Sequence, residues 1–233
     1  MPLKPVHDHA WDLGPREARE LQSRLAVEAV LTDRFGELRL VAGVDVHFEE
    51  RGAVTRAAVA VLDLGTLGVL EQTVARRPTT FPYVPGLLSF REIPVVVDAL
   101  GALESAPDLL MCDGQGFAHP RRFGLACHLG WLMDRPTIGV AKSRLIGEFD
   151  APGRERGAWS PLLDRGEVIG AALRTRAGVS PVFVSQGHRV GLESALRLAL
   201  ACTGRFRIPE PTRQAHRLAA ALPAGRCGPA SRD

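Results

Sequence analysis

Two aspartates stand in, or directly after, stretches of the chain that otherwise read as buried β-strands. Asp45 lies within the apolar residues 40–48, and Asp113 follows the short apolar run 108–112. A buried charge is costly unless a partner or a metal ion compensates it. For either aspartate alone, a bond to backbone or to an arginine at the rim of a sheet is an adequate explanation. Two carboxylates at neighbouring strand positions instead indicate a site for Mg²⁺, which prefers oxygen ligands and keeps several waters.

Three further side chains could complete a site of this kind. Glu92 is predicted in the first turn of a helix, where it either supplies a third carboxylate or only offsets the helix dipole. Lys142 follows a short apolar stretch and could neutralise a phosphate or support a nucleophile. His216, in the last predicted helix, could act as a ligand or as a proton carrier. Each is an ordinary surface residue when considered alone, but together with the aspartates they indicate metal-assisted chemistry.

The segment 82–94 places an aromatic residue on a stiff turn directly before the helix of Glu92. Pro82 and Pro85 restrict φ on either side of Tyr83, so little entropy is lost when the ring is held outward. An exposed aromatic on a rigid loop is suited to insertion between nucleic-acid bases. A tyrosine folded onto the core is the alternative for this segment taken by itself.

A glycine-rich loop follows Asp113 directly. Gly114 and Gly116 allow backbone groups to approach a ligand closely, and His119 with the arginine pair after it can face phosphates. A single Gly-x-Gly is a weak signal, and this one lacks the dinucleotide-binding fingerprint. The loop is informative because of its position beside Asp113.

The elements that must position these residues are read from hydrophobic periodicity and turn signals. Short connections between the first three strands predict an antiparallel meander. The predicted strands are residues 38–48, 54–64, 69–76, 108–112, 136–140, 168–174 and 181–185, and the predicted helices are residues 15–31, 90–103, 125–133, 191–202 and 211–222. This order predicts an α/β protein with a ribonuclease H-like layout, in which helices cover both faces of one mixed sheet.

Composition sets broad limits on the class of protein. The chain has 233 residues, of which 45% are hydrophobic, and this suits one globular domain over residues 1–233 with flexible ends at about 1–12 and 224–233. The sequence has no apolar run long enough to cross a bilayer. The four cysteines form no Cys-x-x-Cys pair, which predicts a reduced cytoplasmic protein without structural zinc. A net charge of +3 permits nucleic-acid binding but is weak evidence for it.

Six segments taken in order carry a family resemblance: residues 41–45, 82–94, 113–121, 136–143, 185–192 and 209–216. Over residues 15–222 the chain resembles the endonuclease V family, the deoxyinosine 3′ endonucleases. The resemblance implies a ribonuclease H-like fold and a Mg²⁺-dependent DNA repair nuclease, with Mn²⁺ as a substitute ion. Such an enzyme hydrolyses the second phosphodiester bond 3′ to hypoxanthine and leaves 3′-hydroxyl and 5′-phosphate ends.

The resemblance also implies roles for individual residues. Asp45 and Asp113 would bind the metal, with Glu92 as a third ligand and His216 completing the acidic catalytic site. Tyr83 would be the wedge that fills the gap left by the displaced base. Lys142 and His119 would lie near the cleaved phosphate. The base pocket would be lined by Gly86, Leu88, Gly114, Gly116 and Leu125.

The chain departs from the family pattern at four positions, none of which is an implied ligand. His47 stands where a small polar residue is expected, and Phe117 replaces an aliphatic residue. Cys127 replaces a serine, and Gln186 replaces a proline. Pocket shape and base preference are therefore less firmly implied than nuclease activity.

Two alternatives share part of this pattern. Another ribonuclease H-like nuclease, acting on branched or hybrid substrates, would need the carboxylates but not Tyr83 or a base pocket. A non-catalytic lesion-binding module would bind DNA but would gain nothing from carboxylates beside a phosphate. The expected partner is DNA containing deoxyinosine, with inosine-containing RNA as a further candidate, and the expected form is a monomer without membrane contact.

Overall fold

An eight-stranded mixed sheet runs through the computed structural model, which describes residues 3–221. The strands lie in the order β3-β2-β1-β4-β5-β8-β7-β6. Their bounds are β1 Leu40–Glu49, β2 Val54–Asp63, β3 Val69–Pro78, β4 Leu109–Cys112, β5 Thr137–Ala141, β6 Trp159–Asp164, β7 Glu167–Leu173 and β8 Val182–His188. The helices are α1 Pro15–Leu25, α2 Leu88–Gly101, α3 Leu125–Met133, α4 Leu192–Ala201 and α5 Glu210–Ala220.

The strand directions confirm the predicted ribonuclease H-like α/β class. β1, β2 and β3 form an antiparallel meander. β4 lies parallel to β1, and β5 lies parallel to β4. β8, β7 and β6 then continue the sheet in antiparallel fashion. The short parallel strands β4 and β5 are buried along their whole length, as expected of strands with helices on both faces.

Alternation along β1 assigns its residues to two different cores. Ala42 and Val44 pack with α1, α2 and α3 on one face of the sheet. Val41 packs with α4 and α5 on the other face. Because successive side chains of a strand point to opposite faces, Asp45 projects on the same side as Val41, towards α5.

Gly43 lets α5 lie directly on the backbone of β1. A Cβ at this position would be 1.9 Å from the Pro211 carbonyl oxygen and 2.6 Å from the Thr212 nitrogen. Both of those atoms are backbone and cannot rotate away. The absence of a side chain at Gly43 therefore allows the start of α5, the helix that carries His216, to pack directly against β1.

Local structure differs from the sequence-based predictions at the edge strand β6 and at the start of α2. β6 was not predicted, because Pro161 interrupts its hydrophobic pattern, and the structure places this strand at the edge of the sheet, where proline is tolerated. α2 begins at Leu88, so Glu92 lies in its second turn rather than its first. Pro94 is consequently inside the helix. Because Glu92 no longer lies in the first turn, a favourable interaction of its carboxylate with the helix dipole does not explain its position.

The start of the described chain has specific contacts, although residues 1–12 were predicted to be flexible. The backbone N–H groups of Val6 and His7 both donate to the carbonyl oxygen of Leu132, at 2.9 and 3.1 Å. Leu3 is buried in the core beneath α1, α2 and α3. The predicted flexible tail at residues 224–233 lies outside the described residues.

Across residues 3–221, none of the helices combines the length and the apolar character that crossing a membrane requires.

Candidate active site

Asp45, Asp113 and His216 meet at one end of the parallel strands. The register pairs Val44 with Cys112, so the two aspartates occupy the next position on each neighbouring strand. One ligand atom from each of the three residues lies within 4.8 Å of the others. His216 reaches the group from α5, and its Nδ1 is 2.7 Å from Asp45 Oδ2. The structure thus brings together residues that are up to 171 positions apart in the chain.

Lys142 lies beside this group because β5 is parallel to β4. It directly follows β5, and its Nζ is 2.5 Å from Asp113 Oδ2. The carboxyl ends of both strands meet at the same edge of the sheet, which is where ligands bind in open α/β sheets. One cationic side chain therefore already faces the paired carboxylates.

Glu92 approaches from α2, on the opposite side from α5. Burial, together with the charges of Asp45 and Asp113, raises its pKa to about 8. Among the described residues, Glu92 stands outside the group whose ligand atoms lie within 4.8 Å of one another. The pKa of Asp45 is also raised, by burial and by Asp113, and the bond to His216 partly offsets this. Carboxylates with raised pKa values lack a compensating cation, and a divalent metal ion would supply one.

Glu92 makes a pH-dependent contribution to stability that can be measured in the metal-free protein. Its folded pKa, about 8, exceeds its ordinary value of 4.5, so the folded state binds its proton more tightly than the unfolded state. This contribution is complete below pH 4.5 and is lost as the pH rises through about 8. We expect Glu92→Gln to be more stable than wild type at pH 8.5, with the difference shrinking towards pH 5.

Urea unfolding in EDTA at both pH values measures this effect, and Glu104→Gln is a control at a surface glutamate of the α2–β4 connection. A wild-type advantage at pH 8.5 would contradict the assigned environment of Glu92.

A cavity of about 370 Å³ opens next to Asp113 and Lys142. Four of the five predicted base-pocket residues line it, namely Gly86, Leu88, Gly114 and Leu125. Gly116 lies instead against the backbone of β8, where a Cβ would be 2.0 Å from the Gln186 carbonyl oxygen. Gly116 therefore allows the loop to pack closely and does not itself form a wall of the cavity.

Tyr83 stands at the mouth of the same cavity, with 72% of its surface exposed. The alternative of a tyrosine folded onto the core is therefore wrong. Exposing an aromatic ring to water on a proline-flanked turn is unfavourable, and stacking of the ring on a base removes this cost. The position of Tyr83 beside a concave pocket is consistent with the predicted wedge.

His119 organises the cavity wall and is not free to meet a phosphate as predicted. Its ring is buried, its Nδ1 accepts from the Arg121 backbone N–H at 3.2 Å, and its Nε2 donates to the Gly86 carbonyl at 3.1 Å. Burial and the neighbouring Arg121 charge lower its pKa to about 4. A neutral histidine with both ring nitrogens bonded holds the turn at Gly86, where φ is +79°, in the left-handed region that glycine adopts without strain.

Sequence reasoning missed Gln22, which braces this turn from α1. The Arg121 guanidinium donates to the Gly86 carbonyl at 2.6 Å and to Gln22 Oε1 at 2.5 Å. The Gln22 amide then donates to the Phe123 carbonyl at 2.6 Å. Gln22 is almost fully buried, and its position on the apolar side of α1 was the one available signal of an internal role. The loop residues Ser143, Arg144 and Leu145 also line the cavity.

Three of the four departures from the family pattern lie together behind the glycine-rich loop. The Gln186 carbonyl accepts from the Phe117 N–H at 2.7 Å and from Cys127 Sγ at 3.5 Å. These changes therefore contact one another rather than Asp45 or Asp113. His47 is separate from them and exposed on β1.

Comparisons with known proteins agree with this arrangement. The family model described as Endonuclease V matches residues 20–217. An Endonuclease V from Azotobacter vinelandii is 56% identical over 219 residues, which cover 94% of this chain and 98% of the relative. The solved Endonuclease V of Streptomyces avermitilis superposes with a TM-score of 0.87 at 46% identity, over 94% of this chain and 96% of that one.

A third comparison involves a complex with nucleic acid. Endonuclease V of Ciona intestinalis, solved with a 24mer DNA containing an inosine followed by a ribo-adenosine, has a TM-score of 0.77 at 28% identity. The match covers 88% of this chain and 95% of that one. The family model spans well over half of the chain, and the paired aspartates, the exposed tyrosine and the adjoining cavity are all present. The chain belongs to the endonuclease V family of DNA endonucleases.

Proposed function

We propose that this protein is a Mg²⁺-dependent DNA repair endonuclease that recognises deoxyinosine and hydrolyses the second phosphodiester bond on its 3′ side. The products would carry a 3′-hydroxyl and a 5′-phosphate. The observation that carries the proposal is the cavity beneath Tyr83, which opens directly beside Asp113 and Lys142. One site therefore combines a place for a displaced base with the groups needed to cut a neighbouring phosphate.

The donor set fits a hard divalent cation. Asp45 and Asp113 present carboxylate oxygens to the same point, and the raised pKa values of Asp45 and Glu92 indicate that these carboxylates lack sufficient positive charge. Mg²⁺ favours two or three carboxylates with waters in the remaining positions, and Mn²⁺ accepts the same ligands. When bound, such an ion polarises the phosphate and lowers the pKa of a bound water.

His216 and Lys142 supply proton transfer and charge. If His216 Nδ1 donates to Asp45, as the 2.7 Å distance allows, Nε2 is left as an acceptor at a half-exposed position. It can take the proton of an attacking water. In the free protein the Lys142 ammonium forms an ion pair with Asp113. Because the Lys142 side chain is 43% exposed, it can instead bind a phosphate oxygen of the substrate.

The cavity offers a reason for selecting hypoxanthine. Flipping a base costs a few kcal/mol, and it costs less for a mismatched pair. The turn at Gly86 is held by His119 and Arg121 together, so the wall cannot easily move to admit a larger base. Guanine differs from hypoxanthine by an exocyclic amine, and a rigid wall at that position would exclude it by sterics and unmet hydrogen bonds.

An end-labelled duplex with a single deoxyinosine tests the proposal against a matched duplex without it. We expect Mg²⁺-dependent cutting at the second 3′ phosphodiester of the inosine strand only. Equal cutting of both duplexes would indicate a different ribonuclease H-like nuclease. Binding without cutting, in Mg²⁺ and in Mn²⁺, would indicate a lesion-binding module.

Inosine-containing RNA is a second candidate substrate for the same pocket. The Ciona intestinalis relative was solved with a ribo-adenosine directly after the inosine, so a 2′-hydroxyl at that position is compatible with the complex of that protein. Substituting one ribonucleotide 3′ of the inosine in the test duplex measures whether this chain also accepts it.

Replacing the aromatic ring of Tyr83 should weaken lesion binding. Tyr83→Ala is expected to raise the Kd for the inosine duplex about 5- to 150-fold, which corresponds to the ~1–3 kcal/mol of a base–aromatic stack. Fluorescence anisotropy with inosine and matched duplexes in Ca²⁺ measures this difference without cutting. Trp159→Ala, at an exposed aromatic on the edge strand β6, is the control. Equal weakening by both variants, or none by Tyr83→Ala, would place the wedge elsewhere.

A further inference from the structure

A relay of three side chains joins the N-terminal segment to the first turn of α2. His128 is fully buried on α3. Its Nδ1 is 3.0 Å from the Ser89 hydroxyl, and its Nε2 is 2.7 Å from His9 Nε2. His9 Nδ1 in turn is 2.8 Å from the Ala10 carbonyl oxygen. None of these groups belongs to the catalytic cluster.

The chemistry of the partners determines the direction of every proton in the relay. A carbonyl only accepts, so His9 must carry its proton on Nδ1, which leaves Nε2 as an acceptor in the neutral ring. His128 must then donate from Nε2 and accept at Nδ1, and the Ser89 hydroxyl supplies that proton. The relay is complete only when both histidines are neutral, and burial lowers the pKa of both.

The relay ends at the wall of the base cavity. Ser89 and its neighbour Leu88 both line the cavity from the first turn of α2. Leu125 lines it from α3, one turn before His128 on the same helix. The relay therefore links the two helices that contribute Leu88 and Leu125 to the wall of the cavity.

Aromatic packing shows that the N-terminal segment is fitted to this place. The Trp11 ring stacks on His128 at 5.6 Å with planes 7° apart. His7 stacks on Trp131 at 4.9 Å. Phe90 meets the His128 ring edge-on at 5.0 Å. Residues 7–11 thus form a strap across α3 that encloses the buried histidine.

We propose that His9 and His128 are positioning residues for the base cavity, and that the strap formed by residues 7–11 sets its shape through Ser89. The inference rests on the proposed function for its substrate, but the relay itself is a property of the fold. It assigns to the N-terminal segment a role in substrate affinity, at a distance from the metal-binding carboxylates.

The relay predicts a pH dependence with a defined sign. Protonating His9 puts two N–H groups against each other at the 2.7 Å contact, whereas a proton added to His128 goes to Nδ1, where the Ser89 hydroxyl must then accept instead of donate. Because burial lowers the pKa of both rings, the relay is lost only at a pH below about 6.5, the ordinary histidine value. Asp8 on the strap favours the charged form of His9, and Arg24 on α1 opposes it. Glu17 and Glu20 of α1 line the same surface cleft as His9. His128 faces Phe90, Phe123 and Trp11, with His9 as its titratable neighbour.

Matched variants of His9 test the proposal, since this residue is accessible at the surface and its replacement should not prevent folding. His9→Phe keeps a ring but removes the acceptor, and His9→Gln restores an acceptor oxygen. His7→Phe changes the same strap without touching the relay. At pH 7.5 we expect His9→Phe to raise KM for the inosine duplex about fivefold with kcat changed less than twofold, as for one hydrogen bond.

Four further results are expected. His9→Gln should recover at least half of the loss, and His7→Phe should match wild type. The KM ratio between His9→Phe and wild type should fall towards 1 as the pH is lowered and His9 of the wild type becomes protonated. Hydrogen exchange over the first two turns of α2 should be faster in His9→Phe than in His7→Phe.

The opposite results would overturn the inference. A lower Tm in His9→Phe with unchanged KM and unchanged exchange in α2 would show that the strap only stabilises the fold. A KM ratio independent of pH would remove the relay as the cause. If wild type fails to cut inosine duplexes, the proposed function fails, and the exchange experiment still decides whether the relay positions α2.

Discussion

Asp113→Asn and Asp45→Asn are each expected to reduce cleavage of an inosine duplex by roughly 10³-fold or more. A bound metal ion contributes several kcal/mol of transition-state stabilisation, and each 1.36 kcal/mol is a factor of ten in rate. Asparagine keeps the size of the side chain while it removes the charge. The two aspartates are mostly buried and converge on one point, so no nearby water-exposed carboxylate can easily replace either of them.

Binding should respond differently from cleavage in these variants. Removing a negative charge next to a phosphate favours association, so the Kd for the inosine duplex should stay the same or fall. Single-turnover cleavage and anisotropy on the same duplex separate the two effects. Asp98→Asn is the matched control, since Asp98 is half-exposed on α2 and is paired with Arg77 at 3.4 Å. Near-normal cleavage by Asp45→Asn or Asp113→Asn would remove the metal assignment.

Gly43→Ala is expected to lower both stability and activity, although Gly43 has no assigned role in catalysis or substrate binding. The added methyl would lie 1.9 Å from the Pro211 carbonyl oxygen and 2.0 Å from its carbon, so α5 must move away from β1. Overpacking of this kind costs about 1–3 kcal/mol and occasionally more. His216 moves with α5, and a misplacement of about 1 Å can cost on the order of 10²-fold in rate.

Thermal unfolding and kcat together check this expectation. Gly36→Ala is the control, since a Cβ there meets no atom within 4 Å. We expect a lower Tm and a lower kcat for Gly43→Ala and little change for Gly36→Ala. If Gly43→Ala keeps full kcat, the contact between β1 and α5 does not position His216.

Both expectations follow from the same architectural fact, which is that the site is assembled across the sheet. Asp45 and Asp113 project from neighbouring strands, α5 brings His216 from one face, and α2 brings Glu92 from the other. A change at either helix contact therefore reaches the carboxylates. The cavity depends on a third contact, because the hydrogen bond from His119 to the Gly86 carbonyl positions the turn that forms part of its wall.

Local sequence patterns were sufficient for most of the fold. The meander, the two short buried strands and four of the five helices were predicted within a few residues, because periodicity and turn residues are local properties of the chain. The exception is α1, which ends at Leu25, six residues before its predicted end. β6 was missed because proline in a strand is acceptable only at an edge, and edge position is a property of the whole sheet. The start of α2 was placed two residues late, and that shift decided the turn in which Glu92 lies.

By itself the sequence determined which residue types stand at the ends of apolar strands, and thereby the pairing of Asp45 with Asp113. It left open whether the ring of Tyr83 is exposed or folded onto the core, which the tertiary structure decided. It did not distinguish a free histidine from a bonded one. His119 proved to be a neutral support of the Gly86 turn, and His128 proved to be the centre of a buried relay. Those roles depend on which groups lie within about 3 Å after folding, and contacts between residues over a hundred positions apart leave no periodic signal in the chain. Only the tertiary structure could therefore decide them.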